Sequence, residues 1–298
     1  MSYNNLSILV LLRECIDPRP PARVITRGAG ISDRGLRRVA NPADLASLEE
    51  ALSLRDSVGA QVTALAIGPA RLDDTLRLSV SMGADRAIRF WDHGLDGSDA
   101  ATDARILSRI VDILSPTLLF TGNRLADRGD DPVPALAAAV SGIPCISAAV
   151  SLTLNHDGVE VLRKSDRGGR QVVAAPSPCA VLFEESRSPR YPSIEAVTRS
   201  LVAPIEEWEL ADVGIPFWEV GATGACLTTA EFGVPRPDPV RVVTPDANLP
   251  AFERILSLLS GGIKAREGRT HYLSAEATAD GLWRILGEEG LVPEGTPR

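Results

Sequence analysis

Between Thr121 and Val133 the chain gathers two arginines (Arg124, Arg128), three aspartates (Asp127, Asp130, Asp131) and two glycines (Gly122, Gly129). An apolar run, Leu118-Leu119-Phe120, precedes them, and a small-residue run over 133–141 follows. A polar loop that leaves a strand and opens a helix is a seat for phosphate, because the first helical N–H groups point outward unpaired. The arginines would add charge there. The aspartates would repel a phosphate but could accept hydrogen bonds from ribose hydroxyls. The plainer alternative is a solvated loop with a capping aspartate. Neither G-x-G-x-x-G nor G-x-x-x-x-G-K-[ST] occurs. Ser260-Gly261-Gly262 resembles the start of a pyrophosphatase-type loop but lacks the following Asp-Ser, and reads as a helix stop.

A second stretch, Ser188-Pro189-Arg190-Tyr191-Pro192-Ser193-Ile194, carries a different chemistry. Its two prolines hold the backbone extended and present Arg190, Tyr191 and Ile194, residue types that anchor interfaces. An ordinary proline-rich connection is the competing reading. No nucleophile, base and orienting group stand together, so no catalytic residues are assigned. His93, His156 and His271 are isolated, and Cys15, Cys145, Cys179 and Cys226 form no C-x-x-C pair. No metal site is expected, and the thiols fit a reducing cytoplasm. A nucleotide pocket without acid–base apparatus points to a binder or carrier rather than a hydrolase.

The elements that must position these residues alternate through the first half. Apolar strands are expected over 6–12, 62–67, 86–90 and 118–121, and helices between them. Asn41-Pro42 supplies an N-cap and a first-turn proline for the first helix. Residues 72–82, 99–114 and 133–141 supply the others. Such alternation predicts an α/β fold with a parallel, doubly wound sheet, whose ligands bind beyond the strands' carboxyl ends. Those ends are Leu11 to Arg13, Ile67 to Pro69 and Thr121 to Arg124. From about 150 to 184, short strands separated by Asn-His-Asp-Gly and Ser-Asp-Arg-Gly-Gly predict an antiparallel addition. Residues 203–250 are rich in Pro and Gly with scattered Trp208, Phe217, Trp218 and Phe232, and are expected to cover a surface of this chain or of a partner. Helices over 249–260 and 275–289 close the chain. The expected division is a nucleotide-binding domain over 1–200 and a C-terminal arm over 201–298.

A net charge of −8 excludes a general nucleic-acid binder. Apolar runs fall short of the roughly 18 residues that cross a membrane. The N-terminal run Ile8 to Leu12 is short and has no basic lead, so it reads as a strand rather than a signal peptide.

Several segments, in order, resemble the β (small) subunit of electron-transfer flavoproteins. They are Ile8-Leu9-Val10 leading to Arg13, Asn41-Pro42-Ala43-Asp44, Ile67-Gly68-Pro69-Ala70, Ser81-Met82-Gly83-Ala84-Asp85 and Pro189 to Ile194. The resemblance covers about residues 6–200 and is looser beyond. It implies an adenine-nucleotide α-hydrolase-like sheet and a heterodimer whose α subunit holds the redox FAD. AMP, or a second FAD in bifurcating or quinone-linked members, would lie in this subunit. By the resemblance, the nucleotide contacts are Leu11, Asn41, Pro42, Ala43, Asp44, Ile67, Gly122, Asn123, Arg124, Leu125, Ala126, Asp127, Arg128, Gly129, Asp130, Asp131 and Val133. Pro189, Arg190, Tyr191 and Ile194 would dock a flavin dehydrogenase that donates electrons, with Ile194 as anchor; a membrane quinone oxidoreductase is a candidate acceptor. Gly97 to Thr102 and the ending Gly281 to Gly290 look like the longer, bifurcating-type members. A stand-alone adenine-nucleotide sensor is the reading outside the family.

Three departures stand out. AMP-binding members end the loop in an acidic run followed by Asn-Gln-Thr, where this chain has Asp130-Asp131-Pro132-Val133, without those side-chain donors and without the N–H that Pro132 lacks. Lys164 replaces a carboxylate that would pair with α. Arg187-Ser188 replaces Asn-Glu before Pro-Arg-Tyr.

Overall fold

A computed structural model describes residues 6–19, 25–27, 30–32, 35–129, 131–227, 245–259 and 273–288. Ser260 to Gly262, Phe232 and Asp130 therefore lie outside the described residues, as do the last two residues of the Gly281 to Gly290 segment. The chain divides into two units, residues 1–233 and 234–298.

In the first unit β1 (Ser7–Leu11) is almost wholly buried. A strand covered on both faces reads as a continuous apolar run rather than an alternating one. Short β2 (Glu14–Ile16), β3 (Ile25–Arg27), β4 (Gly30–Ser32) and β5 (Arg38–Ala40) lead to α1 (Pro42–Val58), which starts on its proline and ends at left-handed Gly59. Then β6 (Gln61–Ile67), α2 (Asp73–Met82), β7 (Arg86–Phe90), α3 (Ala100–Leu114), β8 (Leu118–Gly122) and α4 (Val133–Val140) alternate as expected. After α4 come β9 (Cys145–Asn155), β10 (Gly158–Lys164), β11 (Arg170–Pro176), β12 (Cys179–Phe183), α5 (Ile194–Ser200), β13 (Glu206–Trp208), α6 (Leu210–Val213) and α7 (Gly221–Gly224).

Nine strands form one sheet in the order β11-β10-β9-β12-β8-β1-β6-β7-β13. Those from β9 to β13 across the sheet run parallel, while β9, β10 and β11 form the antiparallel addition. Side chains alternate across β1. Ile8 and Val10 join Leu48, Leu52 and Leu76 of α1 and α2 on one face. Leu9 and Leu11 join Ile106, Ile110, Ala137 and Ala138 of α3 and α4 on the other. The fold is therefore α/β and doubly wound. Strand order reverses at β1, whose neighbours are β6 and β8.

Two features differ from the sequence reading. The antiparallel addition is not separate from the parallel strands: its first strand, β9, pairs parallel with β12 over its first half and antiparallel with β10 over its second. Ala148 sits between the halves at φ 57°, where the ladder shifts. Beyond residue 203, β13 adds a ninth strand beside β7, and Leu210, Val213, Ile215 and Val220 enter the core. That part of the stretch covers this chain's own sheet.

The second unit contributes α8 (Ala251–Leu259) and α9 (Ala275–Glu288). Phe252, Ile255, Leu256 and Leu259 of α8 and Leu282 and Ile285 of α9 are exposed. Among the described residues no helix is long and apolar enough to cross a membrane.

Candidate functional site

Where strand order reverses, the loops after β1 and β8 part and leave a cleft, as open α/β sheets do. Its volume is about 460 Å³, inside the range of roughly 300–1,000 Å³ typical of small-molecule sites. Leu11 and Ile67, at the ends of β1 and β6, form its apolar floor, and Leu125, Arg128, Asp131 and Val133 border it from the β8–α4 loop. Six of the expected contact residues are thus brought together.

The others lie elsewhere. Asn41 is fully buried at the start of α1 and does not cap it. Its amide reaches across to the loop after β8, donating to the Arg124 carbonyl (2.9 Å) and accepting from the Ala126 N–H (3.1 Å). Asp44 is likewise buried beneath the cleft. One of its oxygens accepts from Arg13 Nη2 (2.6 Å) and Gly122 N–H (2.7 Å), the other from Arg13 N–H (2.8 Å) and Arg13 Nε (3.1 Å). Thr121 adds its hydroxyl at 3.3 Å. Asp44 therefore ties the ends of β1 and β8 to the first turn of α1. Gly122 allows this: a Cβ there would stand 2.5 Å from Asp44 Oδ1 and 2.6 Å from Ala43 Cβ.

Asn123, Arg124 and Gly129 open instead on a neighbouring hollow with Glu184. Glu184 accepts from Asn123 (2.8 Å), Arg124 (2.7 Å) and Lys164 (3.0 Å). Lys164 is thus paired within its own chain. Pro42 and Ala126 border a third hollow with Arg187 and Pro189. Asp127 accepts from the Ile16 N–H at 2.9 Å, and its buried Oδ1 has no hydrogen-bond partner among the described residues.

Charged residues outside the expected contact set also line the cleft, among them Arg13, Arg71, Asp99 and Asp103. Arg13 stood in plain view at a strand's carboxyl end. Burial opposes charge on its guanidinium, but Asp44 and Asp131 outweigh that and hold its pKa above the ordinary value. Asp99 caps α3, the role a D-x-x-T pattern signals. The Thr102 amide leads the groups that hold its carboxyl down to about 2, against burial, with the Thr102 hydroxyl and the Leu227 and Cys226 amides adding to it. Asp103 is pushed up to about 6, first by burial and then by the charges of Asp131 and Asp99.

The second sequence motif divides its residues cleanly. Arg190 turns inward: its N–H, Nε and Nη2 all donate to Glu49 at 2.9–3.1 Å, and Nη1 donates to Asp56 at 2.8 Å. Tyr191 and Ile194 turn outward, 99% and 88% exposed. Ser193 caps α5 by accepting from the Ala196 N–H, so Ile194 is the first residue of a helix whose Val197 continues the exposed apolar ridge toward Leu201 and Val202.

Residues 29–213 match the Electron transfer flavoprotein domain family. The electron transfer flavoprotein subunit beta of Methylophilus methylotrophus is 29% identical over 243 residues, covering 77% of this chain and 89% of that protein. Protein FixA of Sinorhizobium fredii is 28% identical, covering 80% of this chain and 86% of its own. The Bacillus subtilis electron transfer flavoprotein subunit beta is 26% identical, with 70% and 81% covered.

Proposed function

The chain belongs to the electron transfer flavoprotein family, and from that premise we propose that it works as the β subunit of a two-chain electron carrier in the cytoplasm. Its relatives carry the name subunit beta, which calls for a second, larger subunit, and the reading assigns the redox FAD mainly to that partner. FAD supplies the electron transfer itself, so the protein contributes docking, distance and environment rather than an acid or base.

The observation that carries the proposal is the loop from Pro189 to Ile194. A carrier must meet its donor repeatedly and let go. The loop is built for that: a guanidinium clamped to Glu49 and Asp56 holds the backbone, and a tyrosine and an isoleucine stand free of the chain's own core. Preformed geometry lowers the ordering cost of each encounter. A flavin dehydrogenase is the donor in this reading, and a membrane quinone oxidoreductase an acceptor.

The test is co-purification with the partner subunit, followed by reduction by the donor dehydrogenase. Ile194→Ala is expected to slow electron transfer about tenfold or more, the effect of losing an interface anchor worth roughly 1.4–2 kcal/mol, with flavin content unchanged. An unchanged transfer rate, or loss of flavin from the complex, counts against the assignment.

A further inference from the structure

The cleft has room for an adenosine-sized ligand, but the place where a nucleotide's phosphate would be received is filled by the protein itself. Phosphate binding at a helix start needs free backbone N–H groups and uncommitted positive charge. The start of α4 offers little of either. Pro132 and Pro134 have no N–H, and the Val133 N–H donates to Asp131 Oδ1 at 3.0 Å. The other Asp131 oxygen accepts from Arg13 Nη1 at 2.5 Å. Arg13 Nε and Nη2 donate to Asp44, and Nη2 also to the Gly122 carbonyl, 2.7 Å away, so four of its five N–H groups are engaged within the protein. The Asp131 carboxylate thus receives from a helix amide and a guanidinium together, the pair of donors that would greet a phosphate.

The other helix that opens on the cleft repeats the arrangement. Asp99 accepts the Thr102 N–H at the start of α3 and, on its second oxygen, the amides of Cys226 and Leu227 at 2.8 and 2.9 Å. Asp103 and Glu14 add further carboxylates to the wall. Arg71 is paired with Glu14 at 3.0 Å, and Arg128 stands largely in solvent, where a charge is well screened.

We infer that Asp131 is a built-in substitute for the nucleotide phosphate, so that this cleft binds adenosine-type ligands without gaining from a phosphate and retains neither AMP nor a second FAD. The inference stands on the cleft of this chain alone, and its readout is nucleotide binding, so it can fail while the electron-carrier reading holds, and the reverse.

The experiment uses the full-length chain, alone and with its partner subunit. Bound nucleotide is extracted and quantified, and titration calorimetry compares adenosine with AMP. Wild type is expected to release no stoichiometric AMP and no FAD from this subunit, and to bind AMP within about threefold of adenosine. Asp131→Asn frees the Val133 N–H from a carboxylate and Arg13 Nη1 from its counter-charge. It is expected to raise AMP affinity at least tenfold, about 1.4 kcal/mol, with adenosine unchanged. Pro134→Ala, which restores one N–H without touching charge, is expected to give a smaller gain in the same direction and serves if Asp131→Asn fails to fold. Stoichiometric AMP or FAD in the wild-type subunit, tenfold tighter AMP than adenosine in wild type, or no gain in either folded variant would overturn the inference.

Discussion

Replacing Asp44 with alanine separates two roles for this residue, nucleotide contact or internal clamp. The substitution strands the Arg13 and Gly122 N–H groups, which both donate to the carboxylate, in a site with almost no solvent. It also takes from the Arg13 guanidinium the more deeply buried of two counter-charges. Breaking a buried ion pair by deleting one partner costs about 3–5 kcal/mol. Arg13 keeps Asp131 and the Gly122 carbonyl, so the lower end applies, about 3 kcal/mol. For a unit of this size that corresponds to a fall in Tm of roughly 6–12 °C. Urea unfolding and thermal melting of the full-length chain measure it, with an unchanged m-value confirming that the native state is what moved. Asp44→Asn, which keeps the shape and one acceptor but turns an amide toward N–H donors, should lose most of the same stability. A stability change below about 1 kcal/mol, accompanied by lost ligand binding, would refute the clamp and return Asp44 to the nucleotide contacts.

Two further outcomes are expected. Gly122→Ala would place a methyl against Asp44 and the backbone of Ala43, neither of which can yield freely, and should destabilise by about 1–3 kcal/mol in the same assay; a neutral result would mean that the β8 end is looser than described. Asp103 holds its proton up to about pH 6 in the folded chain, against 3.8 when unperturbed, so stability present below about pH 4 is lost as the pH rises to 6. That loss amounts to at most about 3 kcal/mol and should vanish in Asp103→Asn, so parallel pH–stability curves for the two proteins would rule out the assignment.

The central strands were legible because strands buried on both faces leave apolar runs, as Ile8 to Leu11 of β1, Ala64 to Ile67 of β6 and Leu118 to Phe120 of β8 do, whereas β7 carries Arg86 and Arg89. The α1 start was legible from Pro42, yet what Asn41 does was not: its cap position is evident in sequence, while its partners Arg124 and Ala126 lie more than eighty residues away. The same distance hid the Arg13–Asp44–Asp131 clamp, whose members are 31 and 118 residues apart from the arginine. Local rules on caps, turns and periodicity do not reach across such separations. β13 was missed for another reason: three residues carry no periodicity, and Glu206-Glu207-Trp208 join the sheet only because β7 offers an edge. In the loop from Pro189 to Ile194 the division between inward and outward residues was not legible, since nothing local says that Arg190 faces Glu49 while Tyr191 faces water.

That division bears on how such a chain could change over generations. The residues that hold the loop, Glu49, Asp56 and Arg190, are distinct from those it displays, Tyr191 and Ile194. Substitutions at the displayed positions meet solvent rather than core and cost the fold little. Under the docking role proposed for the tip, a lineage could therefore exchange one redox acquaintance for another by editing it, while the bracket beneath is inherited unaltered. Arg187, already joined to Glu50 of the same helix, shows how a change beside the tip can be absorbed by the bracket rather than by the rest of the molecule.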